Sequence, residues 1–123
     1  MTGIGGAFFR ARDPDALPRW YWEHLGINPM SSESEEIWWQ EEGPTVWSPF
    51  PADTDYFGRP EQSWMIDFRV RDLDATHTAS GCRRQRRRRS AGDGGDRRFG
   101  WAADPEGNRF ELWEPAPESL KRP

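Results

Sequence analysis

Cysteine is almost missing from this chain: Cys82 is the only one. A single thiol builds neither an intramolecular disulfide nor a CxxC zinc site. Histidine is nearly as scarce, with His24 and His77 alone. No apolar run approaches the roughly 18 residues a membrane-spanning helix needs, and the opening MTGIGGAFFRARD has no basic segment followed by a long apolar core. Neither export nor a membrane span is indicated, and the cytoplasm is the expected location. An excess of positive charge is missing too: 17 Lys and Arg against 21 Asp and Glu leave a formal charge of −4. That balance argues against a generally nucleic-acid-binding surface. Hydrophobic residues make up 34% of the chain, and the mean hydropathy is −1.01.

The apolar content that is present is carried by a few large side chains. Aromatics reach 14%, with eight Trp, and each such side chain buries a large area in a core or a ligand cavity. At 123 residues the chain is expected to form one domain with a core of its own.

The sequence repeats itself once. Arg10-Ala-Arg-Asp-Pro-Asp-Ala16 returns as Arg69-Val-Arg-Asp-Leu-Asp-Ala75, an offset of 59 residues, each time after a short apolar stretch. Two copies are too few for a solenoid. Two related halves joined in one core, 4–50 and 62–114, account for the spacing better.

Each copy reads as strand, cap and helix. In the first, 4–11 is the strand and Asp13 the helix cap. Pro14 fits the first helical position, and Asp15 faces the positive end of the helix dipole. Leu17, Trp20, Tyr21, His24 and Leu25 recur at helical period, and Gly26 is the expected left-handed stop. After the polar turn 31–36, residues 37–40 and 45–48 read as strands. The stretch 51–61 is a linker loop rich in proline and glycine. In the second copy 62–70 is the strand, Asp72 the cap and Asp74 the acidic first turn. Phe99-Gly-Trp-Ala102 and Arg109-Phe-Glu-Leu-Trp113 then flank Asp104-Pro-Glu-Gly-Asn108, strong hairpin chemistry. Residues 115–123 are a polar tail.

The repeat units, Trp20-Tyr-Trp-Glu-His-Leu-Gly26 and above all Asp104-Pro-Glu-Gly-Asn-Arg-Phe-Glu-Leu-Trp-Glu114, resemble the glyoxalase/bleomycin-resistance/extradiol dioxygenase (vicinal oxygen chelate) superfamily. The resemblance implies an α+β fold of paired βαβββ modules, forming a curled mixed sheet around a cavity with helices outside. It also implies that function resides in a metal site of His and Glu side chains in that cavity. Here the positions of those ligands fall on Gly6, Met65 and the neighbourhood of Trp47 and Ser48, and only Glu111 matches. One carboxylate does not hold a metal that needs three or four protein ligands. No metal, no cofactor and no catalytic residue is therefore assigned.

The expected function is small-molecule binding of the bleomycin-resistance kind, by sequestration in a cavity at a dimer or half–half interface, and a homodimer is the expected assembly. The alternative is a metal-dependent lyase or dioxygenase of the same superfamily. Alternation along the strands points Phe8, Arg10, Met65, Asp67, Arg69, Glu111 and Trp113 inward, and Trp47 joins them as a ligand-contacting candidate. Core packing competes for the Trp cluster (38, 39, 47, 64, 101 and 113), and an ion pair with Arg10 or Arg69 competes for Glu111.

Residues 76–98 interrupt the pattern with Arg83-Arg-Gln-Arg-Arg-Arg-Arg89 and no apolar period. Phosphate-backbone binding and a solvated loop are two readings, the first disfavoured by the overall charge. A third is a pair of compensating frameshifts. Codons available for Gly81 to Gly94 can be read at a one-base offset as Ala-Ala-Gly-Ala-Asn-Val-Asp-Val-Asp-Pro-Gln-Gly-Met, the helix end, cap and acidic strand such a fold places there.

Overall fold

The computed structural model describes residues 1–29, 36–79 and 98–122. Helix α1 spans Ala16–Leu25 and strand β1 Asp67–Arg69. Helix α2 spans Leu73–Ala79, strands β2 and β3 Arg98–Ala103 and Arg109–Glu114, and a 3-10 turn Pro117–Leu120. The strands form one mixed sheet in the order β1-β3-β2, with β1 parallel and β2 antiparallel to β3. Most of the interrupted stretch 76–98 lies outside the described residues, including Cys82 and the arginine run. The polar turn at 31–35 does too.

The helix signals act as their chemistry demands, with small shifts in position. Oδ1 of Asp13 accepts the amides of Asp15 and Ala16 at 3.1 and 2.9 Å, and those two bonds hold its carboxyl below the ordinary range. Residues 14 and 15 form a turn, so α1 starts two positions later than Pro14 suggests. Gly26 ends the helix at φ 69°. Its amide bonds to Trp22 O while that of Ile27 reaches Tyr21 O, a left-handed stop that glycine adopts without steric penalty. In the second copy Oδ1 of Asp72 accepts Ala75 N at 2.9 Å, and Glu114 on β3 accepts Leu73 N at 2.8 Å. Arg98 ties Glu114 to Asp74, closing β2, β3 and α2 together.

One face of the sheet carries the core. Leu112 and Phe110 are 0% and 2% exposed and pack with Leu17 and Tyr21 of α1, Leu73 of α2 and Ala102 of β2. Phe68 and Val70 adjoin them. This is the packed side that alternation assigns to Phe68, Val70, Phe110 and Leu112.

The β2–β3 turn fastens α1 to the sheet. Asp104 is 5% exposed. Its Oδ1 accepts the amides of Glu106 and Asn108, and its Oδ2 accepts Asn108 Nδ2 and, at 2.7 Å, the hydroxyl of Tyr21. Glu106 in turn accepts the amides of Arg12 and Asp13 ahead of the helix. Gly107, at φ 80°, closes the turn. The most recognisable motif of the sequence thus acts here as a structural clamp.

The first half departs from expectation. Residues 4–11, 37–40 and 45–48 are not strands. An extended segment becomes a strand only when its amides and carbonyls find a ladder, and these do not pair with β1 or β2. Around 41–51 three prolines remove donors, and side chains from the second half take the available carbonyls: Arg69 Nη2 binds Glu41 O at 2.8 Å. The expected strand 62–70 shortens to Asp67–Arg69 for a related reason. The Gln62 side chain bonds both N and O of Arg109, at 2.8 and 2.6 Å, in place of a backbone ladder. Among the described residues the architecture is therefore α+β with a three-stranded mixed sheet.

Candidate functional site

The other face of the sheet is polar and aromatic. Strand register places Asp67 beside Glu111 and Glu111 beside Trp101, and, one step along, Arg69 beside Trp113 and Trp113 beside Phe99. The first row holds two carboxyls and an indole N–H. The second holds a guanidinium and two stacked rings, Phe99 and Trp113, 6.3 Å apart and nearly coplanar at 11°.

Glu111 is the centre of the first row. It is 7% exposed, and its Oε2 accepts Trp101 Nε1 at 2.9 Å and the hydroxyl of Tyr56. Trp101 Nε1 also lies 3.1 Å from that hydroxyl. Burial first, then the hydrogen bond to Glu111, push the Tyr56 phenol well above its ordinary pKa. The arrangement fixes the phenol as a donor and keeps Glu111 anchored in a low-dielectric corner.

Asp67 adjoins Glu111 across the β1–β3 pairing, and its carboxyl is shifted upward. Desolvation against the sheet is the larger cause and the adjoining Glu111 the second, and they push Asp67 up to about 8 against the opposing pull of Arg69. More than a third of the Asp67 surface is nevertheless open. Asp67 is therefore the accessible carboxyl of the two, and its protonated form is favoured at neutral pH.

Tyr56 arrives from the linker loop 51–61, which sequence reasoning treated as a connector only. Consecutive turns, Thr54 N to Pro51 O and Gly58 N to Asp55 O, bring it there. It stacks on Phe50 at 5.2 Å and meets Trp101 edge-on at 6.0 Å. The one available signal was the aromatic pair Tyr56-Phe57 within a loop otherwise built of proline, glycine and polar residues.

Above this face lies an open hollow of about 2230 Å³, larger than the roughly 300–1,000 Å³ of an ordinary small-molecule pocket. It is wide because the loops of the first half stand off the sheet. Trp47, Met65, Asp67, Arg69, Glu111 and Trp113 line it, as does Gly6. Phe8 and Arg10 do not: both are exposed, Phe8 at 93%, because 4–11 is no strand and does not turn its alternate side chains toward the sheet. Nor does Glu111 pair with Arg10 or Arg69; its partners are Tyr56, Trp101 and Asp67. Trp101 and Trp113 are buried, whereas Trp39 and Trp47 are 88% and 81% exposed. Arg69 lies against the loop above it so closely that a Cβ on Gly43 would fall 1.4 Å from its guanidinium. His24 stacks on Trp20 within α1 and places Nδ1 2.8 Å from Trp20 O, a helix-internal role.

The donor set does not suit the metal that the fold family implies. Two adjoining carboxyls, of which Asp67 is pushed up to about 8, and a phenol of raised pKa face the hollow where three or four ionised or imidazole ligands are needed. Among the described residues no three His, Cys, Asp or Glu side chains gather to hold an ion. No helix among them is long and apolar enough to cross a membrane.

No curated protein and no solved structure matches the chain. The glyoxalase-like domain family matches residues 6–113, nearly the whole length. That span includes both repeat units, the carboxyl pair and the Asp104–Asn108 clamp, and the chain accordingly belongs to the glyoxalase-like domain family of the vicinal oxygen chelate superfamily.

Proposed function

We propose that this chain binds a small organic molecule in the hollow above Asp67 and Glu111, in the manner of a bleomycin-resistance protein, by sequestration and without a catalytic metal. The observation that carries the reading is the donor set itself: the buried Glu111 carboxyl with Asp67 beside it sits at the floor of an aromatic-walled hollow, where the superfamily would need metal ligands. Trp47, Met65, Asp67, Arg69, Glu111 and Trp113 are the contacts, with Tyr56 added as the group that orients Glu111. Phe8 and Arg10 are left out because they stand off the hollow.

The same reading takes 4–50 and 62–114 as two related βαβββ halves, supported by the 59-residue echo, in a cytoplasmic homodimer. Light scattering on the purified chain tests the dimer. For binding, thermal melting of the full chain against glycopeptides, aromatic acids and thiol conjugates is the direct experiment. A true ligand at a hundred times its Kd adds about 2.7 kcal/mol of stability and quenches tryptophan fluorescence saturably. A panel in which nothing raises Tm or changes the fluorescence overturns the reading. Stoichiometric zinc, nickel or iron in the purified protein would instead favour the metal-dependent lyase or dioxygenase.

A further inference from the structure

We propose that the ligand of this hollow is a flat organic cation, an amidine, guanidine or protonated amine, that also carries a hydrogen-bond acceptor; Asp67 and Glu111 take its N–H groups and Nε1 of Trp113 its acceptor. The inference rests on the reading of the hollow as a binding site and adds the charge and polarity of what enters.

The charge follows from which groups at the floor are free. Oε2 of Glu111 is occupied by Tyr56 and Trp101, and its remaining capacity faces Asp67. Asp67 is the polar group of that row still open at the surface. The arginines that line the hollow are already engaged: Arg59 binds Asn108 Oδ1, Arg69 Nη2 binds Glu41 O with its guanidinium packed on Gly43, and Arg71 binds Glu41 Oε1, while Arg109 lies over the Trp101 ring and outside the lining. An anionic ligand would approach two carboxyls and find these arginines engaged. A cation meets a carboxyl pair able to receive two N–H groups side by side, the geometry in which charge-assisted hydrogen bonds are strongest.

The acceptor follows from an unmet donor. Trp113 is 6% exposed, and its Nε1 has no partner among the described residues. A buried donor left unpaired loses its hydrogen bonds to water without replacement, so a ligand acceptor that reaches it is favoured. Trp113 stands two residues beyond Glu111 on β3, so both side chains project from the same face toward the hollow, roughly 6.8 Å apart along the strand. One ring bearing a cationic group at one end and an oxygen at the other spans that step.

Four probes test this on the full chain by tryptophan fluorescence and calorimetry. Benzamidine, benzamide and benzoate share a shape and differ in charge, and 4-methoxybenzamidine adds the acceptor. Benzamidine is expected to bind at least tenfold more tightly than benzamide or benzoate, and the methoxy compound severalfold more tightly again. Asp67→Asn should erase the preference for benzamidine over benzamide, and Trp113→Phe should erase the methoxy gain alone. Both variants are to be matched to the parent by circular dichroism. Saturable binding of benzoate or benzamide as tight as that of benzamidine overturns the cation while leaving the hollow a binding site. So does a preference unchanged in Asp67→Asn. A methoxy group that adds nothing overturns the acceptor. Failure of all four to bind overturns the whole inference, and the broader reading is then decided separately by the thermal panel.

Discussion

The two halves of this chain carry the same opening motif and reach different ends. In the second half, Arg69-Val-Arg-Asp-Leu-Asp-Ala75 leads from β1 into α2, and β3 pairs on both sides with strands from its own half. In the first half, Arg10-Ala-Arg-Asp-Pro-Asp-Ala16 leads into an equally well capped helix, yet none of the described residues around it lies in a strand. Ile37, Trp39, Val46 and Trp47 remain 66–88% exposed, whereas Phe110, Leu112 and Trp113 are at most 6% exposed. The difference teaches that a cap and a helical stripe act locally, while a strand exists only through its neighbour. What the first half contributes to the core is α1, anchored by Tyr21 and Leu17.

The largest test of that asymmetry is paired truncation. Leu112→Ala should cost about 3–4 kcal/mol, since Leu112 is fully buried between sheet and helices. Trp47→Ala, on an exposed side chain, should stay within about 0.5 kcal/mol despite removing more atoms. Urea unfolding measures both, and comparable losses would mean that the first half packs in solution as tightly as the second.

The clamp between the halves comes next. Asp104→Ala removes the acceptor for Tyr21, Asn108 and two backbone amides, and about 3 kcal/mol should go with it. Tyr21→Phe, which deletes only the link to α1, should cost about 1 kcal/mol. If Tyr21→Phe proves as damaging as Asp104→Ala, the clamp acts mainly through the helix and not through the turn.

The smallest expected effect is on pH dependence. Asp67 is raised from 3.8 to about 8 in the folded chain, with Glu111, Tyr56 and Arg69 as its charged or titratable neighbours. The folded state therefore binds this proton more tightly than the unfolded state. Its contribution to stability is fully present below pH 3.8 and is lost as pH rises toward 8. Asp67→Asn should flatten the stability profile between pH 4 and 8, with its largest relative gain at the alkaline end. The partial exposure of Asp67 keeps the change below that of the core substitutions. An unaltered profile would show that Asp67 titrates as a free surface carboxyl.

Local chemistry was the legible part of the sequence. Asp13, Asp72, Gly26 and Gly107 act through bonds within a few residues, and their roles follow from residue type and spacing. The hairpin at 104–108 and the packed faces of β1 and β3 were readable for the same reason, because strand alternation is a local rule. The site was half legible. Glu111 and Asp67 lie on strands whose inward side alternation could assign, but Tyr56 reaches Glu111 across 55 positions from a loop with no periodicity to read. Phe8 and Arg10 show the opposite error, an inward face assigned to a strand that does not form.

The sequence by itself determined the helix starts to within two residues, the Gly26 stop, the β2–β3 turn and the family, because each is written in short motifs whose physics closes over neighbouring residues. Only the tertiary structure decided which extended segments became strands and which carboxyl became the centre of the site. Backbone pairing, burial and the upward shift of the Asp67 carboxyl are properties of groups brought together from distant parts of the chain.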